Sequence, residues 1–512
     1  MIGRPQNDPG TIPERVKGSG FHERLDSAHS TWRPWHDGPV ADRLSAMDAS
    51  FLYLEGPTTP MHVGSLVLFS ESPGAMDHER LVRLITQRIS FLPRYRQRVR
   101  EVPGGLAAPV WVDDPTFDVS FHVRRSALPA PGSIEQLYDL VSRIFSRPLD
   151  RRRPLWEVYL VEGIAGRRFA LLTKTHQAMV NGLSAIDIAE VILDESQEPA
   201  AVPATTWLPS AEPSSAELLA GAIGDSLRSP RRLLGRLGEG ITNAARSVGD
   251  VAATLVDVAR PDALPPLSVD VGAQRRFDTV DLRLDEFKRI RRTTGGSITD
   301  IALAVVTGAL RSWLFTRGVS IASDTVVRAV VPVSVAADDP RASTVSAVML
   351  DLPVGEPDPV IRVQRISFDM ARYGAESHVL GAQSFVELVG FAPPTMHALG
   401  ARVGANVSKR AYHLVVTNVP GPQTPRYAGG ARMLAAYPVL PLGPCQPLSI
   451  GITSYDGAVY FGITADRDAV TDLDIVVQSV REALSELLDT TSGSRRRRLR
   501  VATDRVTSGE EE

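Results

Sequence analysis

Apolar positions along the chain alternate between short β-favouring runs and segments with helical spacing. Phe169–Thr175 is such a run, bounded upstream by Gly163, Gly166 and Arg167–Arg168, and it predicts a buried strand. Leu183, Ile186, Ile188, Val191 and Ile192 then recur at helical spacing and predict a helix. Between them, His176-Gln177-Ala178-Met179-Val180-Asn181-Gly182 reads as a turn at a strand end. Polar side chains on such a turn can face a cleft while the strand and helix hold them still.

The same reading covers the rest of the chain. Leu81, Leu84, Ile85 and Ile89 share one face of a helix predicted over Asp77–Ser90. Val110–Val112 and Val119–Val123 read as strands, and Glu135–Arg147 as a helix. Val158–Glu162 pairs with 169–175 as a hairpin that delivers the turn. Residues 196–216 form a Pro/Ala/Ser linker, and apolar positions from Leu233 to Val256 then predict a long amphipathic helix. That helix can pack across two lobes or lie on a membrane or lipid-droplet surface. From Arg275 the pattern gives a strand, a short helix, a Gly-Gly turn and a long apolar helix. Strands over Val326–Val335 and Ser346–Leu352, a helix over Pro359–Tyr373, a strand in 413–422, a hairpin in 454–468 and a helix over Asp472–Leu488 complete it.

Composition narrows the class. The chain has 512 residues, enough for two lobes of ordinary size, and its 43% hydrophobic content is that of a globular protein. A formal net charge of −3 argues against a general nucleic-acid binder. A single cysteine, Cys445, excludes an intrachain disulfide and fits a reducing cytoplasm; no Cys/His spacing suggests a metal. No apolar h-region opens the chain, and no window approaches the ~18 uninterrupted apolar residues of a bilayer span. If the protein works on lipid, it meets lipid from the aqueous side. Residues 1–43 and 491–512 lack periodicity and are expected to be disordered, the latter carrying Arg495–Arg498 before an acidic terminus.

Two polar features sit outside the turn. His62 lies at a strand entry, where a bonded core histidine is the ordinary outcome and a cleft role the sharper one. The arginines of 91–103 (FLPRYRQRVREVP) suit phosphate geometry, although such a run is more often a solvated face.

The turn and its surroundings resemble the bacterial wax ester synthase/diacylglycerol acyltransferase family. HQAMVNG (176–182) is similar to the family's H-H-x-x-x-D-G. An M-D-x-x-F-L-x-x-E stretch leads through P-M-H-V-G in 45–69, and Pro154-Leu155-Trp156 matches P-L-W. Thr299-Asp300 stands where the family has Asn-Asp, 413–422 is similar to V-S-N-V-P-G-P, and 454–468 to D-G-x-L-x-F-G-x-x-x-D. The markers run in order from about residue 44 to 490.

The resemblance implies an α/β fold of two similar lobes with mixed sheets and flanking helices. That fold is chloramphenicol-acetyltransferase-like and condensation-domain-like, with an active-site tunnel at the lobe interface. It places an N-terminal lobe at 44–195, a linker with the amphipathic helix at 196–274 and a C-terminal lobe at 275–490. It implies long-chain acyl-CoA as donor substrate with no separate cofactor, diacylglycerol or a fatty alcohol as acceptor, and a cytoplasmic protein, peripheral to the inner membrane or lipid droplets. By the same resemblance His176 and Gln177 stand at the two imidazole positions of the catalytic motif and Asn181 at its structural Asp, Gly182 and Asn418 at substrate-binding positions, and Pro154, Trp156 and Asp300 at structural markers. Asp300 has reason enough to be there as a helix cap.

Position 177 departs from the family. The second His of the motif is the general base, and an imidazole with a pKa of about 6.5 exchanges protons at neutral pH. The Gln177 carboxamide has no basic nitrogen and can only orient a hydroxyl by accepting its hydrogen. Loss of a general base costs ~10²–10⁴-fold, while positioning survives. Asn181 keeps a carbonyl oxygen where the family has a carboxylate. His176 is the remaining imidazole of the motif, a support or a displaced base. The sequence therefore leaves open a slow acyl-CoA-dependent acyltransferase, an acyl-CoA- or lipid-binding relative without turnover, and a condensing enzyme fed by a carrier protein.

Overall fold

The strand Arg168–His176 lies inside the first of two six-stranded sheets. The computed structural model describes residues 42–71, 76–105, 107–180, 188–198, 207–227, 264–335, 344–375 and 412–507. In chain order the first half gives β1 (Asp42–Arg43), α1 (Ala46–Leu54), β2 (His62–Ser70), α2 (His78–Ile89), β3 (Gln97–Arg100) and β4 (Val110–Asp113). It continues with α3 (Val119–His122), β5 (Val123–Ala127), α4 (Ile134–Phe145), β6 (Trp156–Ile164), β7 (Arg168–His176), α5 (Gln177–Val180) and α6 (Ile188–Ile192). After α7 (Ser215–Leu227) come β8 (Arg275–Arg283), α8 (Leu284–Thr294), α9 (Ile298–Thr316), β9 (Val327–Val335), β10 (Thr344–Leu352) and α10 (Pro359–Ala375). The chain closes with β11 (Leu414–Val419), β12 (Tyr427–Ala428), β13 (Ala431–Val439), β14 (Leu448–Tyr455), β15 (Ala458–Asp466) and α11 (Leu473–Thr507).

The sheets run β12-β13-β2-β7-β6-β5 and β10-β9-β11-β14-β15-β8, with a small third sheet β1-β4-β3. Both large sheets are mixed: β5 is parallel to β6, and β11 is parallel to β9 and β14, while the remaining pairs are antiparallel. This is the two-lobed α/β architecture with flanking helices that the motifs imply. The segment 275–490 does not stay in one lobe, however. Strand β13 pairs with β2 and completes the first sheet. Its residues Ala431, Met433, Ala435, Tyr437 and Val439 are buried in strict alternation, which fixes its register in that sheet.

Where β13 leaves the first sheet it crosses close to the second. A Cβ built on Gly462 would lie 1.9 Å from the Pro438 carbonyl oxygen, so this approach needs glycine. Nearby, the Tyr138 hydroxyl bonds the Thr279 hydroxyl. The Arg275 N–H donates to Ser146 Oγ at 3.1 Å, and the buried Arg275 guanidinium reaches the Thr58 carbonyl. These contacts join β8, the first strand of the second lobe, to α4 and the segment after α1.

The second lobe is built around α9. This helix of 19 residues is apolar and long enough to cross a bilayer, yet most of it is buried in the protein, so its all-round hydrophobicity is that of a core helix. Ser297 is its N-cap and Asp300 its third residue. The Asp300 N–H donates to Ser297 Oγ, and the Asp300 carboxylate accepts the Ser297 N–H at 2.7 Å. Asp300 thus completes a capping box rather than capping the helix itself.

Other departures from the sequence reading have local causes. Val119–His122 is a short helix, not a strand, because the Asp118 carboxylate accepts the Ser120 N–H and hydroxyl at 2.9 and 2.7 Å. The final helix runs to Thr507 through a stretch read as a tail; one glycine costs only ~1 kcal/mol in a helix rich in Arg and Leu. The arginines of 91–103 meet protein groups rather than presenting an open phosphate site. Arg94 stacks on Trp111 and pairs with Asp42, Arg96 covers Trp207, and Arg98 and Arg100 pair with Glu212 at 2.7 and 3.4 Å. They fasten the segment 207–212 to the first lobe. The helix read over 233–256 lies outside the described residues.

Candidate active site

The hairpin β6–β7 presents the motif. Pro154 and Leu155 are buried at its entry, and the Leu155 carbonyl accepts the His176 N–H at 2.9 Å. Trp156 is fully buried: its indole N–H donates to the Tyr95 carbonyl at 2.8 Å, and its ring stacks on His122 with centroids 4.6 Å apart. Beneath the hairpin, Lys174 Nζ donates to the carbonyls of Ile144 and Arg147 at 2.9 and 2.5 Å. Burial lowers this ammonium to a pKa of about 8.

His176 ends β7, directly across from His62 on β2, and both rings are buried on one face with centroids 5.8 Å apart. His176 Nδ1 accepts the Ala178 N–H at 3.0 Å, so the ring proton belongs on Nε2. Among the described residues Nε2 has no hydrogen-bond partner, and it faces Glu55 Oε2 at 3.7 Å. Glu55 follows the last turn of α1. Its Oε1 accepts the Met61 N–H at 3.2 Å and lies 3.3 Å from His62 Nε2. Its Oε2 accepts two N–H groups of Arg151 at 3.0 and 2.7 Å, and Arg151 also donates to the Leu52 carbonyl.

Burial alone would raise the Glu55 carboxyl. The imidazoles of His176 and His62 outweigh it and hold the group below the ordinary carboxylate range. Burial depresses His62 to a pKa of about 4, against the pull of Glu55, so this ring is neutral at pH 7. His62 Nε2 also receives the Leu149 N–H at 3.3 Å. His62 is thus a bonded, buried histidine at a strand entry.

Gln177 is placed differently. It opens the single turn of α5 with its N–H on the Met61 carbonyl at 2.9 Å. Its side chain is half-buried, and the amide has no hydrogen-bond partner among the described residues. The motif therefore sits on a strand end running into a helical turn, with its imidazole directed inward and its carboxamide available. Asn181 and Gly182 lie outside the described residues.

In the second lobe, Asn418 near the end of β11 donates its amide N–H to Thr299 Oγ1 at 2.9 Å. Asp300 is buried and accepts the Ser367 hydroxyl at 2.9 Å. The Thr299-Asp300 and 413–422 markers are thus brought together, across the turn into α9. Two residues had no role assigned from sequence. Glu55 was visible only as the last letter of the M-D-x-x-F-L-x-x-E stretch, and Arg151 as one of three consecutive arginines before P-L-W. Nothing in their spacing shows that they meet.

Comparison with known proteins bears on the whole chain. Residues 44–302 match the wax ester synthase/diacylglycerol acyltransferase catalytic domain, and residues 343–488 match the WS/DGAT C-terminal domain. The chain is 44% identical over 260 residues to the probable diacylglycerol O-acyltransferase tgs3 of Mycobacterium tuberculosis, covering 49% of this chain and 96% of that protein. Its identity to tgs1 of the same species, also a probable diacylglycerol O-acyltransferase, is 31% over 452 residues, or 87% and 96% of the two chains. Among solved structures, the wax ester synthase/diacylglycerol acyltransferase from Marinobacter aquaeolei VT8 superposes with a TM-score of 0.62 at 26% identity, over 88% of this chain and 100% of that one. The first condensation domain of the CDA synthetase shares the fold, with a TM-score of 0.54 at 15% identity over 88% and 97%.

Proposed function

The chain belongs to the wax ester synthase/diacylglycerol acyltransferase family, and on that premise we propose that it is an acyl-CoA-dependent O-acyltransferase. It moves a long-chain acyl group from coenzyme A to the hydroxyl of 1,2-diacylglycerol, giving triacylglycerol and free CoA. The observation that carries this reading is the half-buried amide of Gln177 at the motif's base position, unpartnered among the described residues and held by main-chain bonds on a strand end.

The acyl-CoA and the acceptor reach Gln177 through a passage between the lobes, from the aqueous side of a lipid surface. The hydroxyl donates its hydrogen to the Gln177 carbonyl oxygen, which directs a lone pair at the thioester carbonyl. The new C–O bond forms, the C–S bond breaks, and the proton lost by the hydroxyl ends on the departing CoA thiolate by way of water. The reaction draws on no bound cofactor. Orientation is supplied and base catalysis is not, so turnover is slow by ~10²–10⁴-fold relative to a site with an imidazole at this position.

Purified protein incubated with oleoyl-CoA and dioleoylglycerol should release CoA thiol and triacylglycerol in equal amounts, above a no-enzyme control. Tight acyl-CoA binding with no product in either assay would replace the enzyme reading with that of a binding protein.

A further inference from the structure

Two of the hydrogen bonds that fix the backbone around Gln177 lead back to one carboxylate. The Gln177 N–H rests on the Met61 carbonyl at 2.9 Å, and the Met61 N–H rests on Glu55 Oε1 at 3.2 Å. On the other side, the Ala178 N–H rests on His176 Nδ1 at 3.0 Å, and His176 Nε2 faces Glu55 Oε2 at 3.7 Å. Arg151 fixes the carboxylate with two N–H groups and ties it to the end of α1 through the Leu52 carbonyl. We propose that Glu55, oriented by Arg151, is a positioning residue for acyl transfer, setting the tautomer of His176 and through it the turn that carries Gln177.

The argument is electrostatic. A neutral imidazole carries its proton on one nitrogen, and the Ala178 N–H needs an acceptor at Nδ1. A negative charge opposite Nε2 favours the Nε2–H tautomer. At 3.7 Å the contact is too long for a hydrogen bond, but the ring is buried and the Glu55 side chain is only 9% exposed, so screening by solvent is reduced. Remove the charge, and the Nδ1–H tautomer becomes accessible. Two donors would then face each other between His176 and Ala178, and no water reaches a fully buried ring to relieve them. The first turn of α5 would loosen, and Gln177 with it. The Met61 link loses its acceptor only if the carboxamide of a substituted residue turns the wrong way, so it is the weaker of the two.

The kinetic part rests on the acyltransferase reading; the tautomer part does not. The test uses the full chain with ¹⁵N-labelled histidine, comparing the native protein with Glu55→Gln and Arg151→Lys. Native His176 should show the Nε2–H tautomer. Glu55→Gln should lose it and speed amide exchange of residues 177–180. Its kcat should fall tenfold or more, with KM for acyl-CoA within about twofold, in both the native and the Gln177→His backgrounds. Arg151→Lys, which keeps the charge but not the fork, should show the same signature more weakly, and it supplies the answer if Glu55→Gln does not fold. An unchanged His176 tautomer in whichever variant folds would overturn the proposal, even in a chain that transfers no acyl groups. A lost tautomer with unchanged kcat would overturn the positioning role.

Discussion

His176 and Glu55 face each other across 3.7 Å inside the first lobe, while the next residue, Gln177, is half-buried, its amide without a hydrogen-bond partner among the described residues. The two neighbours at the end of β7 thus differ in placement, His176 buried and turned inward, Gln177 half-buried. An imidazole that is itself buried, whose Nδ1 is occupied by the Ala178 N–H and whose Nε2 faces the Glu55 carboxylate, has no lone pair to offer a substrate hydroxyl.

This division predicts the pH–rate profile. The native chain should lack a rising limb near the imidazole range, and Gln177→His should gain one with an apparent pKa of about 6–7. Adding His176→Ala to Gln177→His should lower kcat yet leave that limb in place. Its disappearance on removal of His176 would make that ring the titrating group.

Stability should respond to pH through His62. Burial depresses its folded pKa to about 4 from an ordinary 6.5. Between these values the unfolded chain takes up a proton that the folded chain refuses. The contribution is therefore fully present above pH 6.5 and is lost as pH falls through 4. It amounts to roughly 3 kcal/mol, at ~1.4 kcal/mol per pKa unit. Glu55, held low, works in the same direction at more acid pH. Urea midpoints measured from pH 7 to 4.5 should fall less steeply for His62→Gln than for the native chain; parallel slopes would refute the assignment.

The lobe crossing at Pro438 should tolerate no side chain beneath it. In Gly462→Ala the new methyl would meet a carbonyl oxygen of the backbone rather than a flexible side chain. A loss of about 1–3 kcal/mol in urea denaturation is expected. By contrast, the surface substitution Asp456→Asn in the β14–β15 turn, at an exposed pair with Arg432, should stay within about 1 kcal/mol of the native chain.

Arg88 and Asp194 form a buried pair at 2.5 Å that secures the chain just beyond the motif, and the Asp194 main chain exchanges hydrogen bonds with Tyr427 of β12. Asp194→Ala should cost ~3–5 kcal/mol by leaving a buried guanidinium without its anion. Thermal denaturation checks the loss; one below 1 kcal/mol would show that Arg88 is compensated elsewhere.

Much of this was legible in the sequence, for identifiable reasons. The hairpin β6–β7 and helices α2, α9 and α10 follow from periodicity, since each buries one face or all of itself. Position 177 could be read because a carboxamide in place of an imidazole is a chemical fact independent of fold. Three things could not be read. The transfer of β13 to the first sheet is a long-range pairing with β2, some 360 residues away, that leaves no local mark. The convergence of Glu55, His62, Arg151 and His176 depends on β2–β7 register and on the segment before Pro154. The arginines of 91–103 read first as a solvated face and second as a phosphate site; their contacts with Trp111, Trp207 and Glu212 leave no local mark, because guanidinium geometry serves phosphate, carboxylate and aromatic faces alike.

The account turns on position 177, and restoring an imidazole there tests it most directly. Acyl transfer from oleoyl-CoA to dioleoylglycerol should rise ~10²-fold or more in Gln177→His, with KM for acyl-CoA little changed. Equal rates in the native and substituted chains, with both folded and both binding acyl-CoA, would contradict it.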